Sequence, residues 1–234
     1  MRPIAARSVP IDLDSRTPPA VAQTSTSTST LDEVEDRDLL CLLLARSLQG
    51  HVVEQAATDL MNRFGNLGDI AAAEVSELGR ITGLGPAGIL DLKLLRQLSI
   101  RLARHTASAR PVLSSWAAVV DYARLALAHL PREQFRVLYL DRRNILLRDE
   151  WVADGSIDHA PVYPREVIRR ALELSASALI LVHNHPSGDP TPSQADIKIT
   201  RQIVDGAKLF GLQVHDHLIV GREGTASFRT LGLL

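Results

Sequence analysis

Apolar positions along the chain follow two different rhythms. From Leu39 to Arg104 they recur every three or four residues, the spacing of amphipathic helices, whereas beyond Ser114 helical stretches alternate with short runs that are continuous or period-two in apolar residues. In the first part, the acidic cluster Asp32, Glu33, Glu35, Asp36 and Asp38 precedes an apolar helix running to about Leu48, with negative charge at the end the helix dipole favours. A second helix, 52–64, carries Val53, Ala56, Ala57, Leu60, Met61 and Phe64 on one stripe and closes at Gly65-Asn66. Residues 71–78 predict a third, short helix. The turn Gly83-Leu84-Gly85 leads into a further helical pattern up to Arg104, with Pro86 suited to its first turn.

In the second part, Ser114 or Ser115 caps a helix with Val119, Val120, Ala123, Leu127 and Leu130 on its apolar face. Residues 135–140 alternate and pair, through Asp141-Arg142-Arg143-Asn144, with 145–152 as a hairpin. A loop at 155–162 and a helix opened by Pro164 lead to Ala178-Leu179-Ile180-Leu181-Val182, an unbroken branched run typical of a strand buried on both faces. A helix at 193–210, a strand at 212–220 and a last short strand at 226–228 follow. The order predicts an α/β or α+β domain with a mixed sheet.

Residues 1–30 hold four prolines and a Ser/Thr alternation at 24–30, too polar and repetitive to offset the entropy of ordering. The expected organisation is a disordered tail (1–30), a small all-α domain (31–104), a linker (105–113) and the mixed-sheet domain (114–234). With 234 residues, 45% of them hydrophobic, two folded units are affordable in core area. The net charge of -1 provides no global field toward nucleic acid or an anionic membrane, so any basic patch is local. The single cysteine, Cys41, sits in an apolar run and reads as core filling; it excludes an intrachain disulfide and a closed thiolate zinc site. No apolar run reaches a membrane span and the N-terminus lacks a secretory pattern, so a cytoplasmic location is expected.

Candidate chemistry concentrates at the end of the buried strand. His183 and His185, at i and i+2, point to the same side of an extended backbone, and Pro186 to Pro192 form a stiff loop into the helix that Ser193 starts. Asp196 falls in the first turn of that helix. Two imidazoles and a carboxylate are a ligand set for a catalytic zinc, with a fourth tetrahedral position for water. Ser193-x-x-Asp196 is equally a helix-capping pattern.

The spacing His-x-His, seven residues, Ser, two residues, Asp is similar to the metal motif of the JAMM (MPN+) metallopeptidases. The longer string His-Asn-His-Pro-Ser-Gly-Asp-Pro-x-Pro-Ser-x-x-Asp, residues 183–196, resembles more narrowly the bacterial RadC (UPF0758) family. The resemblance extends from about Ser114 to the C-terminus, more weakly over 39–104, and not over the first thirty residues. It implies a JAMM/MPN-like (cytidine-deaminase-like) fold and one Zn2+ per chain held by His183, His185 and Asp196. It also implies hydrolysis of a peptide or isopeptide bond in a polypeptide substrate by metal-activated water. Glu133 matches the family's general base at the start of the first strand, and Ser193 its oxyanion donor. Glu166, opening the helix after Tyr163-Pro164, is the rival base, with helix-dipole compensation as its simpler role. His215 and His217, read on one strand face with Asp216 on the other, are taken as supporting residues.

Leu78 to Leu90 resembles a helix-hairpin-helix motif, whose Gly turn offers backbone N–H groups to a DNA phosphate. Gly83, Gly85, Arg80, Lys93 and Arg96 are the candidate contacts, for non-specific binding only. Pro86-Ala87-Gly88 stands where that motif places a lysine, and a hairpin that merely packs helices is equally compatible with the residues. Names in the family refer to DNA repair. The alternative function is therefore a DNA-associated accessory protein with a structural or vestigial metal site.

Overall fold

The computed structural model describes residues 31, 34–108, 111–154 and 162–234, and residues 35–234 form one compact unit. The expected tail at 1–30, and the expected loop at 155–162 apart from its last residue, lie outside the described residues. The unit opens with five helices: α1 (Asp36–Leu44), α2 (His51–Phe64), α3 (Leu67–Ala72), α4 (Val75–Leu78) and α5 (Gly85–Ser108). Leu40, Leu44, Ala56, Ala57, Leu60, Ile70, Leu78, Leu84 and Leu92 are buried together between them. These are the positions the three-four spacing selects, each large side chain contributing about 1.5–3 kcal/mol over exposure.

Local chemistry moves several expected boundaries. α1 stops at Leu44, four residues short. α2 ends as expected at Gly65, whose φ of +84° continues the chain in the left-handed region while its N–H bonds Met61 C=O. The helix expected at 71–78 is two helices: Asn66 Oδ1 accepts from Asp69 N–H at 2.8 Å and starts α3 early, and Ala73, with ψ of 145°, breaks the chain before α4. Asn66 thus begins a helix as well as following one, a double use that side-chain periodicity does not reveal.

α5 runs through 105–108, residues expected in the linker, because after Gly88 no glycine or proline occurs before Pro111. Its N-terminal half packs on α1 to α4; its C-terminal half, through Ile100, Ala103 and Ala107, packs on the core of the following sheet.

After a 3-10 turn at Val112–Ser114 come α6 (Trp116–Leu127), β1 (Gln134–Leu140), β2 (Leu146–Asp154), α7 (Pro164–Glu173), β3 (Ala178–Asn184), α8 (Gln194–Leu209), β4 (Gln213–Val220) and β5 (Thr225–Ser227). The sheet order is β2-β1-β3-β4-β5, with β3 and β4 parallel and every other pair antiparallel. Alternate residues divide between the two faces, except that β4 changes phase between Val214 and Asp216. Leu138, Leu140, Ile180, Val182, Leu218 and Val220 pack under α6, while Val137, Tyr139, Leu179, Leu181 and Val214 pack under α7 and α8. The result is a three-layer α/β unit of mixed sheet preceded by helices, with β3 buried along all seven residues.

Candidate metal centre

Strand register builds the site. β1 runs antiparallel to β3 with Phe135 opposite His183, so Glu133, two residues earlier, stands across from the end of β3 where His185 emerges. Asn184 fixes that juxtaposition: its Oδ1 accepts from Gln134 N–H at 2.8 Å and its Nδ2 donates to Arg132 C=O at 3.1 Å. A fully buried amide therefore clamps the backbone on both sides of Glu133.

The third element is the N-terminus of α8. Ser193 and Asp196 form a reciprocal capping box, in which Asp196 N–H donates to Ser193 Oγ and Ser193 N–H donates to Asp196 Oδ2 at 2.7 Å. Ser193 O–H also donates to Asp196 Oδ2, at 2.6 Å. These bonds turn the other oxygen, Oδ1, toward His183, 3.2 Å from its Nε2, and Oδ1 is buried without a hydrogen bond. His185 Nε2 lies 3.0 Å from His183 Nε2 and 3.4 Å from Asp196 Oδ2. One ligand atom from each of Glu133, His183, His185 and Asp196 falls within 4.8 Å of the other three.

The remaining hydrogen bonds of the two imidazoles face outward. His185 Nδ1 is 2.9 Å from the Asp189 carbonyl, which can only accept, so His185 carries its proton on Nδ1 and directs Nε2 inward. His183 Nδ1 meets His217 Nε2 at 2.8 Å, and His217 Nδ1 meets Thr200 Oγ1 at 2.6 Å. The loop between His185 and Ser193 is held from behind by Gly221, where an added Cβ would stand 2.0 Å from Gly188 O. Arg222 donates to Pro186 C=O at 3.0 Å.

Electrostatics follow from burial. Desolvation pushes His183 below its usual pKa, and fully enclosed His217 well below. His185, only partly buried, is raised by Asp196, whose carboxylate would accept from the protonated ring, against desolvation. Burial pushes the Asp196 carboxyl up, but the flanking histidines and Ser193 outweigh it and hold it well below the usual carboxylate range. Three Lewis-basic atoms thus converge within about hydrogen-bond distance, an arrangement that is repulsive unless a proton or a cation lies among them. The orphaned Asp196 Oδ1 and the inward His185 Nε2 fit a divalent cation with nitrogen and oxygen ligands.

Other expected residues fall elsewhere. Glu166 is half-buried on the first turn of α7, paired with Arg169 at 2.9 Å and Arg165 at 3.4 Å, and is not one of the four clustered groups. The expectation that His215 and His217 share a strand face is corrected. Leu179 pairs with Val214 but Ile180 with Asp216, so a bulge at His215 breaks the alternation. His217 turns toward α8, whereas His215 Nε2 contacts Asn144 Oδ1 at 2.6 Å in the β1–β2 turn. Asp216 accepts from Ser227 O–H and, at 3.0 Å, from Arg229 N–H, tying β4 to the C-terminal segment.

In the helical region, Gly83 and Gly85 take φ of +81° and +59°, the tight turn the sequence suggests. The expectation that Lys93 and Arg96 face a phosphate is at odds with their placement. Lys93 donates to the carbonyls of Ala71 and Ala73 at the end of α3, and Arg96 donates at 3.0 Å to Ala126 C=O in the last turn of α6. Helix C-termini draw cations for the same reason phosphates do, through uncompensated negative charge. Arg80 stays exposed, paired with Glu77 at 2.8 Å. The residues missed from sequence are Asn184 and Thr200: Asn184 adjoins the motif, and nothing in the spacing points to Thr200. His217, expected as a supporting residue, stands between His183 and Thr200.

Among the described residues no helix is long and apolar enough to cross a membrane. The model of the RadC-like JAB domain matches residues 113–233, the three-layer unit that carries the cluster. A UPF0758 protein of Rhodobacter capsulatus is 53% identical over 203 residues, covering 87% of this chain and 95% of its own length. A second UPF0758 protein, from Ruegeria pomeroyi, is 51% identical over 199 residues, covering 85% of this chain and 89% of its own. Both alignments are too long to be confined to the matched domain, so the likeness takes in the helical region as well. With its sheet, its histidine strand and its helices all inside that likeness, the chain belongs to the RadC (UPF0758) family.

Proposed function

We propose that the chain is a zinc-dependent hydrolase of peptide or isopeptide bonds, with His183, His185 and Asp196 as the residues that hold the metal. The observation that supports this most is the convergence of two imidazole Nε2 atoms and a buried, unbonded carboxylate oxygen at 3.0 and 3.2 Å. A zinc ion bound there would supply Lewis acidity, bringing a water toward ionisation near neutral pH and polarising a carbonyl.

The chain's own residues divide the remaining work. Glu133, clamped by Asn184 beside the cluster, takes a proton from the attacking water and returns it to the leaving nitrogen. Ser193 serves the developing oxyanion by giving up its O–H bond to Asp196 Oδ2. Two histidines and one aspartate, a single-metal ligand set, suit amide hydrolysis better than phosphodiester cleavage, for which paired metals are common.

The test is metal content of the purified full chain after zinc supplementation, followed by hydrolysis of a peptide library and of lysine-linked isopeptides with and without chelator. About one zinc per chain and chelator-sensitive cleavage are expected. A folded protein that takes up no zinc would sink the proposal.

A further inference from the structure

Thr200 and His217 are buried behind the clustered ligands and take no part in the reaction as proposed. Their hydrogen bonds nevertheless constrain one another in sequence. Thr200 has one hydroxyl proton and donates it to the backbone carbonyl of Asp196, which has none to give. The 2.6 Å contact between Thr200 Oγ1 and His217 Nδ1 must then take its proton from the imidazole. With Nδ1 protonated and the ring enclosed between Phe135 and Phe228, at 5.5 and 4.6 Å, a neutral His217 has only a lone pair on Nε2. The 2.8 Å contact of that atom with His183 Nδ1 is therefore donated by His183. Neutral His183 is left with its lone pair on Nε2, the atom 3.2 Å from Asp196 Oδ1.

We propose that Thr200 and His217 are positioning residues that lock His183 in its Nδ1–H tautomer, so that Nε2 is the atom presented to the metal. The opposite polarity of the chain would place a proton on His183 Nε2, inside the ligand cluster, where it would have to leave before a cation entered. The two ligands are thus set by different devices: His185 by a loop carbonyl, His183 by a side-chain relay anchored on the first turn of the helix that supplies Asp196. The inference rests on the metal reading for its consequence and on the hydrogen bonds alone for the tautomer.

Two measurements test it separately. Nitrogen-15 NMR of histidine-labelled, metal-free full chain reads which ring nitrogens carry protons. Nδ1 protonation of both His183 and His217 is expected, and a proton resident on His183 Nε2 overturns the proposal whether or not zinc binds. Zinc affinity, by competition against a chelator, then compares Thr200→Val, which keeps the shape and removes the hydroxyl, with Thr200→Ser, which restores it. Thr200→Val is expected to weaken zinc binding about 10- to 100-fold, the usual cost of losing a partner that orients a ligand, and Thr200→Ser to regain wild-type affinity. A folded Thr200→Val protein that binds zinc as tightly as wild type overturns the positioning role while leaving the metal reading intact. A wild-type chain that binds no zinc sinks the metal reading instead, and the NMR result alone then decides the tautomer.

Discussion

The end of β3 and the helical hairpin before α5 both place polar residues where a ligand might be sought, and the structure treats them in opposite ways. At the end of β3, Glu133, His183, His185 and Asp196 come from three separate segments of the chain and meet, the outer hydrogen bonds of the last three already taken by His217, Asp189 and Ser193. Around the hairpin, Arg80, Lys93 and Arg96 lie close in sequence and disperse, one onto Glu77 and two onto helix-end carbonyls. Convergence by strand register makes a site; proximity in sequence makes only a local charge count.

Removing a converging ligand should have the largest effect. His183→Ala or Asp196→Ala is expected to abolish stoichiometric zinc in the purified protein, read by metal analysis on samples whose circular dichroism matches wild type. Next comes the residue proposed as general base. Glu133→Gln is expected to keep zinc and fold but lower kcat about 10²- to 10⁴-fold, the range general-base catalysis supplies. If it lost zinc as well, Glu133 would be a ligand and the division of roles proposed here would fail.

Zinc affinity should also fall with pH. His185, its pKa raised above the ordinary 6.5 by Asp196, accepts a proton on the inward Nε2 and so competes with the cation. The competing proton is present below the raised pKa and gone above it, so chelator competition should show binding that tightens as pH rises through that region and then levels off. A flat profile from pH 5 to 8 would place the competing proton elsewhere.

The hairpin side of the comparison predicts smaller changes. Lys93→Met is expected to destabilise the chain by about 1–3 kcal/mol by leaving the α3 carbonyls unpaired, and to leave duplex-DNA binding at low salt unchanged. A pronounced loss of DNA binding without loss of stability would return Lys93 to the phosphate role. Glu166→Gln should cost only about 0.3–1 kcal/mol at a helix terminus, with turnover intact.

How much of this was legible beforehand differs between the same two regions. Period-two and continuous apolar runs locate β1, β3 and β4 to within a residue or two, most plainly β3, whose first five residues are all apolar. The i, i+2 rule correctly aims His183 and His185 together. It fails at His215, where one bulged residue in β4 reverses the alternation, and a bulge leaves no mark in the spacing of apolar residues. Asn184 and Thr200 were opaque for another reason, as was the place of His217 between Thr200 and His183: their importance lies in which hydrogen bond each makes, a property of three-dimensional neighbours. The break between α3 and α4 hides behind Asn66, which is read as a helix stop until its side chain is seen to start the next helix.

One feature of the fold reaches beyond the chemistry. α5 is 24 residues long, about 36 Å of continuous helix, and it contributes buried side chains first to the helical core and then to the sheet core. A strut shared in this way ties the opening of one core to the opening of the other. Its middle amides, near Leu92 to Ile100, should then exchange with solvent only as slowly as the whole unit unfolds, and denaturant should reveal a single cooperative transition. Cutting the chain after Arg104 would divide a helix, and Ile100 and Ala103, which pack on the sheet core, would be stranded on the wrong side of the cut.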